Sequence, residues 1–142
     1  MAYTWKKAIG GSIPSGARSN GHGADGTPCW VARASNSGGI QLGKVRPAFG
    51  AANIPYGGKE IKVTDYEVLM EEGRWVKASG GRVPDGAVVA GFEADGKPLF
   101  VARAAYQGGI HQGKVRLEFG AANIPYGGNE IKVTNYEVLV ND

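Results

Sequence analysis

Apolar and polar positions along this chain follow the short period of β-strands, not the longer period of helices. TPCWVARA (27–34) and KPLFVARA (97–104) are apolar runs carrying aromatic and β-branched residues, the pattern of buried strands. Each is preceded by Ala-Asp-Gly. Asp25-Gly26 and Asp95-Gly96 are strong hairpin-turn signals, because both residue types tolerate positive φ. In Gly-Lys-Val-Arg, Val45 between Lys44 and Arg46 alternates as a half-exposed strand does. KEIKVTDYEVLM (59–70) also alternates, but its phase slips: Ile61 and Val63 share one parity, Tyr66 and Val68 the other. A bulge near Thr64-Asp65, recurring at Thr134-Asn135, would repair the register. GAANIPYGG (50–58) has glycine or proline at four of nine positions and is predicted to be an ordered loop. No amphipathic helix of ten or more residues is present. The expected fold class is all-β.

The same pattern occurs twice. With Trp5 placed over Trp75, the chain aligns with itself at an offset of 70 without a gap, and 43 of 68 aligned positions are identical. GAANIPYGG recurs at 120–128, EIKVT (60–64) at 130–134, GKVR (43–46) at 113–116, VARA (31–34) at 101–104 and YEVL (66–69) at 136–139. Identity at a fixed period marks a duplication. We divide the chain into repeats at 1–71 and 72–142. Two copies are too few for an open solenoid, so the expectation is one globular unit with an internal pseudo-two-fold axis and the VARA strands buried at or near it.

Composition sharpens this picture. Glycine makes up 24 of 142 residues, more than twice the usual share of roughly 7%, and seven prolines join them, so tight turns are frequent. The single cysteine, Cys29, excludes an intrachain disulfide and, set in an apolar strand, reads as a small buried hydrophobe. No stretch is apolar enough for a membrane span, and the first residues lack the apolar centre of a signal peptide, so the expected location is cytoplasmic, or outside the cell by a non-classical route. The formal charge of +3 comes from 16 basic residues interleaved with 13 acidic ones, not from a clustered basic face, which argues against nucleic acid as a partner.

Duplication also filters candidate chemistry, since a device working in both halves keeps its residues 70 apart. His22 aligns with Phe92, His111 with Gln41 and Cys29 with Leu99, so no metal cluster or His-centred triad is duplicated; the histidines read as structural or peripheral. Glu60/Glu130 and Glu67/Glu137 fit cross-strand ion pairs. GAANIPYGG lacks the Lys-Ser/Thr ending of a phosphate loop. We therefore expect neither an enzyme nor a cofactor or metal site. What survives is a polar set near turns: Asp25 with Lys44, and Asp95 with Lys114. Two readings of it stand: a surface salt bridge beside a hairpin, or a carboxylate and ammonium holding two vicinal sugar hydroxyls.

The ungapped series G-G-x-[IV]-P-x-G-A, A-D-G-x-P, V-A-R-A, G-G-I-x-x-G-K-V-R and F-G-A-A-N-I-P-Y-G-G-x-E-I-K-V-x-x-Y-E-V-L resembles the DM-nine repeat family over essentially the whole chain, and within it the two-repeat mannose-binding lectins of bivalves. The resemblance implies a β-rich homodimer that binds mannose and mannose-rich glycans on microbial surfaces, as a pattern-recognition protein of innate immunity. It implies sugar contacts from the lysine of Gly-Lys-Val-Arg, here Lys44 and Lys114, and from an acidic residue just before Ala-Asp-Gly. That acid is Glu93 in repeat two. Repeat one has Gly23 instead, which leaves Asp25 or His22 as substitutes. The competing reading is an intracellular scaffold that binds protein or membrane and ignores sugar.

Overall fold

Turn-rich sequence and short apolar runs give fourteen strands in a computed structural model that describes residues 2–141. Repeat one contributes β1 (Trp5–Ile9), β2 (Gly21–His22), β3 (Pro28–Asn36), β4 (Gly39–Val45), β5 (Ala52–Tyr56), β6 (Lys59–Val63) and β7 (Asp65–Leu69). Repeat two contributes β8 (Arg74–Ser79), β9 (Val89–Phe92), β10 (Pro98–Tyr106), β11 (Gly109–Val115), β12 (Ala122–Tyr126), β13 (Asn129–Val133) and β14 (Asn135–Val140). The fold is all-β, a barrel with extra strands. One hydrogen-bonded sheet runs through every strand, and the β3–β4 and β10–β11 pairings close it on itself.

The two repeats do not fold side by side; they are laced together. β2 pairs with its own β3 but also with β11 of the other repeat, at Ile110↔His22. By the same rule β9 pairs with β10 and with β4, at Ile40↔Phe92. β6 meets β13 at Asn129↔Lys59, where the Glu60 amide donates to the Gly128 carbonyl and the Glu130 amide to the Gly58 carbonyl, both at 3.0 Å. The arginines of the VARA strands add to this lacing. Arg33 pairs with Glu67 of its own repeat at 2.8 Å, stacks on Trp5, and donates to the Ala90 carbonyl of the other repeat at 3.0 Å. Arg103 does the same with Glu137, Trp75 and the Asn20 carbonyl.

Three sequence expectations are corrected here. GAANIPYGG is not a loop: Ala52–Tyr56 and Ala122–Tyr126 are buried strands, and only the glycines turn, Gly57 and Gly58 both taking positive φ in a two-residue hairpin. Pro55 lies beyond Asn53, the last residue of β5 that pairs with β4, so its missing N–H costs that ladder nothing. The phase slip at Thr64 is not a bulge but a change of partner. β6 pairs with β5, whereas β7 pairs with β1 and β3. Finally, Gly-Lys-Val-Arg is not half exposed, since β4 is covered on both faces and Gly43, Lys44 and Val45 are all buried.

Val31 and Val101 of the VARA strands meet in a core shared by both repeats, with Leu42, Leu69, Ala90, Leu99 and Leu139. That core is not symmetric. At one junction Leu42, Ala90 and Leu99 come together; the matching positions at the other are Gln112, Asn20 and Cys29. There the buried Gln112 amide donates to Asn20 Oδ1 at 2.8 Å and to the Cys29 carbonyl at 2.9 Å. An apolar trio on one side is thus exchanged, on the other, for two polar side chains hydrogen-bonded to each other, with Gln112 also bonded to the Cys29 backbone.

Candidate functional site

Lys44 projects from β4 into a cavity of about 590 Å³ whose lining comes from both repeats. Repeat one supplies Asp25, Arg46, Phe49, Asn53 and Glu60 beside Lys44; repeat two supplies His111 and Tyr126. Asn53 stands opposite Lys44 across the β4–β5 ladder, which is why strand formation by Ala52–Tyr56 is a condition of the site. Glu60 is oriented by Asn53 Nδ2 at 3.1 Å and by the Gly128 amide at 2.9 Å, so the repeat-to-repeat contact sets its position.

Lys44 is only 3% exposed. Its Nζ lies 2.8 Å from His111 Nδ1 and within cation–π reach of Tyr126 and Phe49, at 5.5 and 5.8 Å from the ring centres. Among the described residues no carboxylate oxygen lies within 4.0 Å of it. Desolvation therefore pushes the Lys44 pKa down, partly offset by Glu60. His111 Nε2 lies 3.1 Å from the Tyr106 carbonyl, which can only accept, so Nε2 carries the hydrogen and Nδ1 accepts from the ammonium. Burial first, and then the charge on Lys44, depress the His111 pKa to about 4.

That shift makes the well acid-sensitive. The unfolded chain protonates this histidine near its ordinary 6.5, while the folded chain resists until about 4, so between those values the unfolded state binds more protons and stability falls as pH falls. The expected loss from pH 7 to pH 4 is on the order of 2–3 kcal/mol from this residue. Denaturant titration of the parent and of His111→Gln, which copies Gln41, checks it: the variant should lose correspondingly less over the same interval.

The matching polar cluster of repeat two, the counterpart of this well, is built on Lys114, 2% exposed, and is packed differently. Lys114 Nζ donates to Gln41 Oε1 at 2.7 Å and lies 3.7 Å from Glu130. Gln41 Nε2 in turn donates to Glu93 Oε1 at 2.8 Å, and Glu93 Oε2 lies 3.4 Å from Arg116 Nε. Burial depresses the Lys114 pKa as well, with Glu130 and Glu93 opposing it. In both wells the same atoms are buried without a hydrogen-bond partner: Asn53 Oδ1 and Arg46 Nε in one, Asn123 Oδ1 and Arg116 Nε in the other.

The structure thus brings Asp25 and Lys44 to one well, and Glu93 and Lys114 to the other. Asp25 sits at the rim, 3.9 Å from Arg46; its Oδ1 accepts from the Thr27 amide, which holds its carboxyl below the ordinary range. Asp95 makes the same turn contact with the Lys97 amide. His22 lies outside the first well, with its exposed ring against the Gly23 carbonyl. The lysines are not surface groups, so a surface salt bridge with Asp25 or Asp95 is not what they form. Sequence reasoning missed Arg46, Asn53 and Glu60 with their copies as lining groups, though each is duplicated. It set His111 aside because it is not duplicated and did not weigh Gln41, yet each bonds a buried lysine of the opposite repeat. No group of three or more metal-ligating side chains occurs among the described residues, and no helix there is long and apolar enough to cross a membrane.

The family model described as "DM9 repeat" matches residues 1–63 and 23–133. No curated protein matches the chain. Among solved structures, the crystal structure of the nematode sperm cell motility protein MFP2B superposes with a TM-score of 0.67 and 17% identity, over 99% of this chain. The chain spans about half, 47%, of that protein's length, and at this identity the likeness is one of fold.

Proposed function

The chain belongs to the DM9 repeat family, and from that premise we propose that its two wells bind carbohydrate, with mannose and mannose-rich glycans as the ligands. One observation carries the reading. Each site sets a buried acceptor without a hydrogen-bond partner, Asn53 or Asn123 Oδ1, near a buried ammonium, and in the first well Arg46 Nε adds a buried donor that likewise lacks one. A buried polar atom left without a partner costs on the order of 1–3 kcal/mol. Sugar hydroxyls donate and accept at once, so a pair of them supplies both missing partners. The aromatic walls, Tyr126 with Phe49 and Tyr56 with Phe119, give apolar faces for a pyranose ring.

In this reading the protein is a non-enzymatic pattern-recognition lectin of innate immunity, acting from the cytoplasm or after release by a non-classical route. Weak single sites gain avidity when two chains present four wells, so we place it as a homodimer. A glycan array, with light scattering on the same sample, tests this. Retention on mannose-rich glycans, inhibited by free mannose, and a mass of two chains are expected. An array without a sugar signal would favour the scaffold reading instead, and a one-chain mass would remove the dimer.

A further inference from the structure

Among the charged residues lining the wells, Glu93 has no counterpart in the other repeat: the matching residue is Gly23. In repeat two the Glu93 carboxylate lies between Gln41 and Arg116, in the network that Lys114 completes. In repeat one no side chain takes that place. A Cβ on Gly23 would stand 3.1 Å from Asp25 Oδ1 and 3.3 Å from Arg46 Nη1, so the position Gly23 leaves open lies between the rim carboxylate and the guanidinium. The cationic groups are kept, but the anion that answers them is gone. Lys44 keeps only the neutral His111 as its hydrogen-bond partner, and Arg46 keeps only the rim residue Asp25, at 3.9 Å. Glu60, the other carboxylate of the well, is already engaged by Asn53 and Gly128.

We propose that the repeat-one well takes a carboxylated sugar of the hexuronate type, whose carboxylate occupies the place that Glu93 holds in repeat two, beside Arg46 and next to the His111–Lys44 pair. This rests on the sugar reading above and names the ligand class of one of its wells. Repeat two, already neutralised from within, keeps the preference for neutral hexose. Charge-assisted hydrogen bonds are roughly twice as strong as neutral ones, and a desolvated ammonium without an ion pair gains most from them. A bare inorganic anion fits less well, because it would set its lone pairs against Asn53 Oδ1 and the Glu60 carboxylate, where a sugar presents hydroxyl donors.

The experiment is calorimetry at fixed ionic strength with glucuronate, methyl α-mannoside and inorganic phosphate. It uses the parent, Gly23→Glu, and the triple variant Glu93→Gly/Gln41→His/Glu118→Ala, which gives the second well the charge set of the first, Glu118 being a further partner of Arg116 that repeat one replaces by Ala48. Glutamate is accommodated at this turn position in repeat two, so Gly23→Glu is expected to fold. Glucuronate should bind the parent at one equivalent, lose at least tenfold in affinity in Gly23→Glu, and bind the triple variant at two equivalents. In NMR titrations the His111 pKa should rise with glucuronate, whose charge offsets that of Lys44, and stay in place with the mannoside. Glucuronate binding unchanged in Gly23→Glu, or phosphate binding as tightly as glucuronate, would overturn the proposal. So would mannoside filling the first well as tightly as the acid. Mannoside binding without glucuronate binding sinks this inference and leaves the neutral-sugar reading standing; glucuronate binding without mannoside binding does the reverse.

Discussion

Gly43→Ala and Gly113→Ala are each expected to cost about 3 kcal/mol or more in unfolding free energy, among the largest effects of any single methyl group in this protein. A Cβ on Gly43 would stand 2.0 Å from the Asn53 carbonyl oxygen and 2.9 Å from Ile54 Cα; on Gly113 it would stand 2.0 Å from the Asn123 oxygen. All of these are backbone atoms of the neighbouring strand, which cannot swing aside as a side-chain end can. The glycine of Gly-Lys-Val-Arg is therefore present so that β4 can pass close over β5, and β11 over β12. Because the next residue is the buried lysine, opening that approach displaces Lys44 from Asn53, and the sugar binding proposed above should fall along with stability. Gly50→Ala serves as the control. Its φ of 69 is unfavourable for alanine, but nothing lies within 4 Å, so a cost of about 1–2 kcal/mol is expected. Urea denaturation of the three variants measures the difference, and equal costs would mean that the strand crossing yields easily.

The two lysines should respond to methionine with opposite signs. Lys44 is buried with no carboxylate within ion-pair distance among the described residues, so its desolvation is poorly compensated. Lys44→Met keeps most of the volume and removes the charge, and a gain of about 1–3 kcal/mol in stability is expected. Lys114→Met leaves Glu130, Glu93 and the Gln41 oxygen without their shared cation, and a loss of about 3 kcal/mol is expected. Both variants should lose sugar binding at their own well. A gain in stability that accompanies loss of function would identify Lys44 as a group held in an unfavourable environment for the sake of a ligand. Losses of equal size at both positions would instead show that Lys44 is compensated by a partner other than the neutral His111.

Much of the architecture is readable along the chain. The all-β class follows from the short period and the density of glycine turns, and the doubling follows from the offset identity. Asp25-Gly26 and Asp95-Gly96 do form turns between β2 and β3 and between β9 and β10. The reading of Gly-Lys-Val-Arg failed for a physical reason. Period-two alternation reports burial only when one face of a strand meets water. β4 and β11 are covered on both faces, so Lys44 and Lys114 look half exposed in sequence and are nearly inaccessible in the fold. The proline and glycines of GAANIPYGG suggested irregular backbone, but the ladder to β6 overrides local preference.

Duplication was a sound guide to which residues matter and a poor guide to which of them meet. The sequence by itself determined the two repeats and most of their strands and turns, and it carries the lysine, asparagine, glutamate and arginine in duplicate without showing that they meet. Only the tertiary structure decided that each well is closed by the other repeat, through β2 on β11, β9 on β4 and β6 on β13. This crossing brings His111 to Lys44 and Gln41 to Lys114, and it separates the charge of two nearly identical wells. The physical reason is that strand pairing between residues some 70 positions apart is settled by sheet closure and shared burial. Neither leaves a mark in the local order of residues.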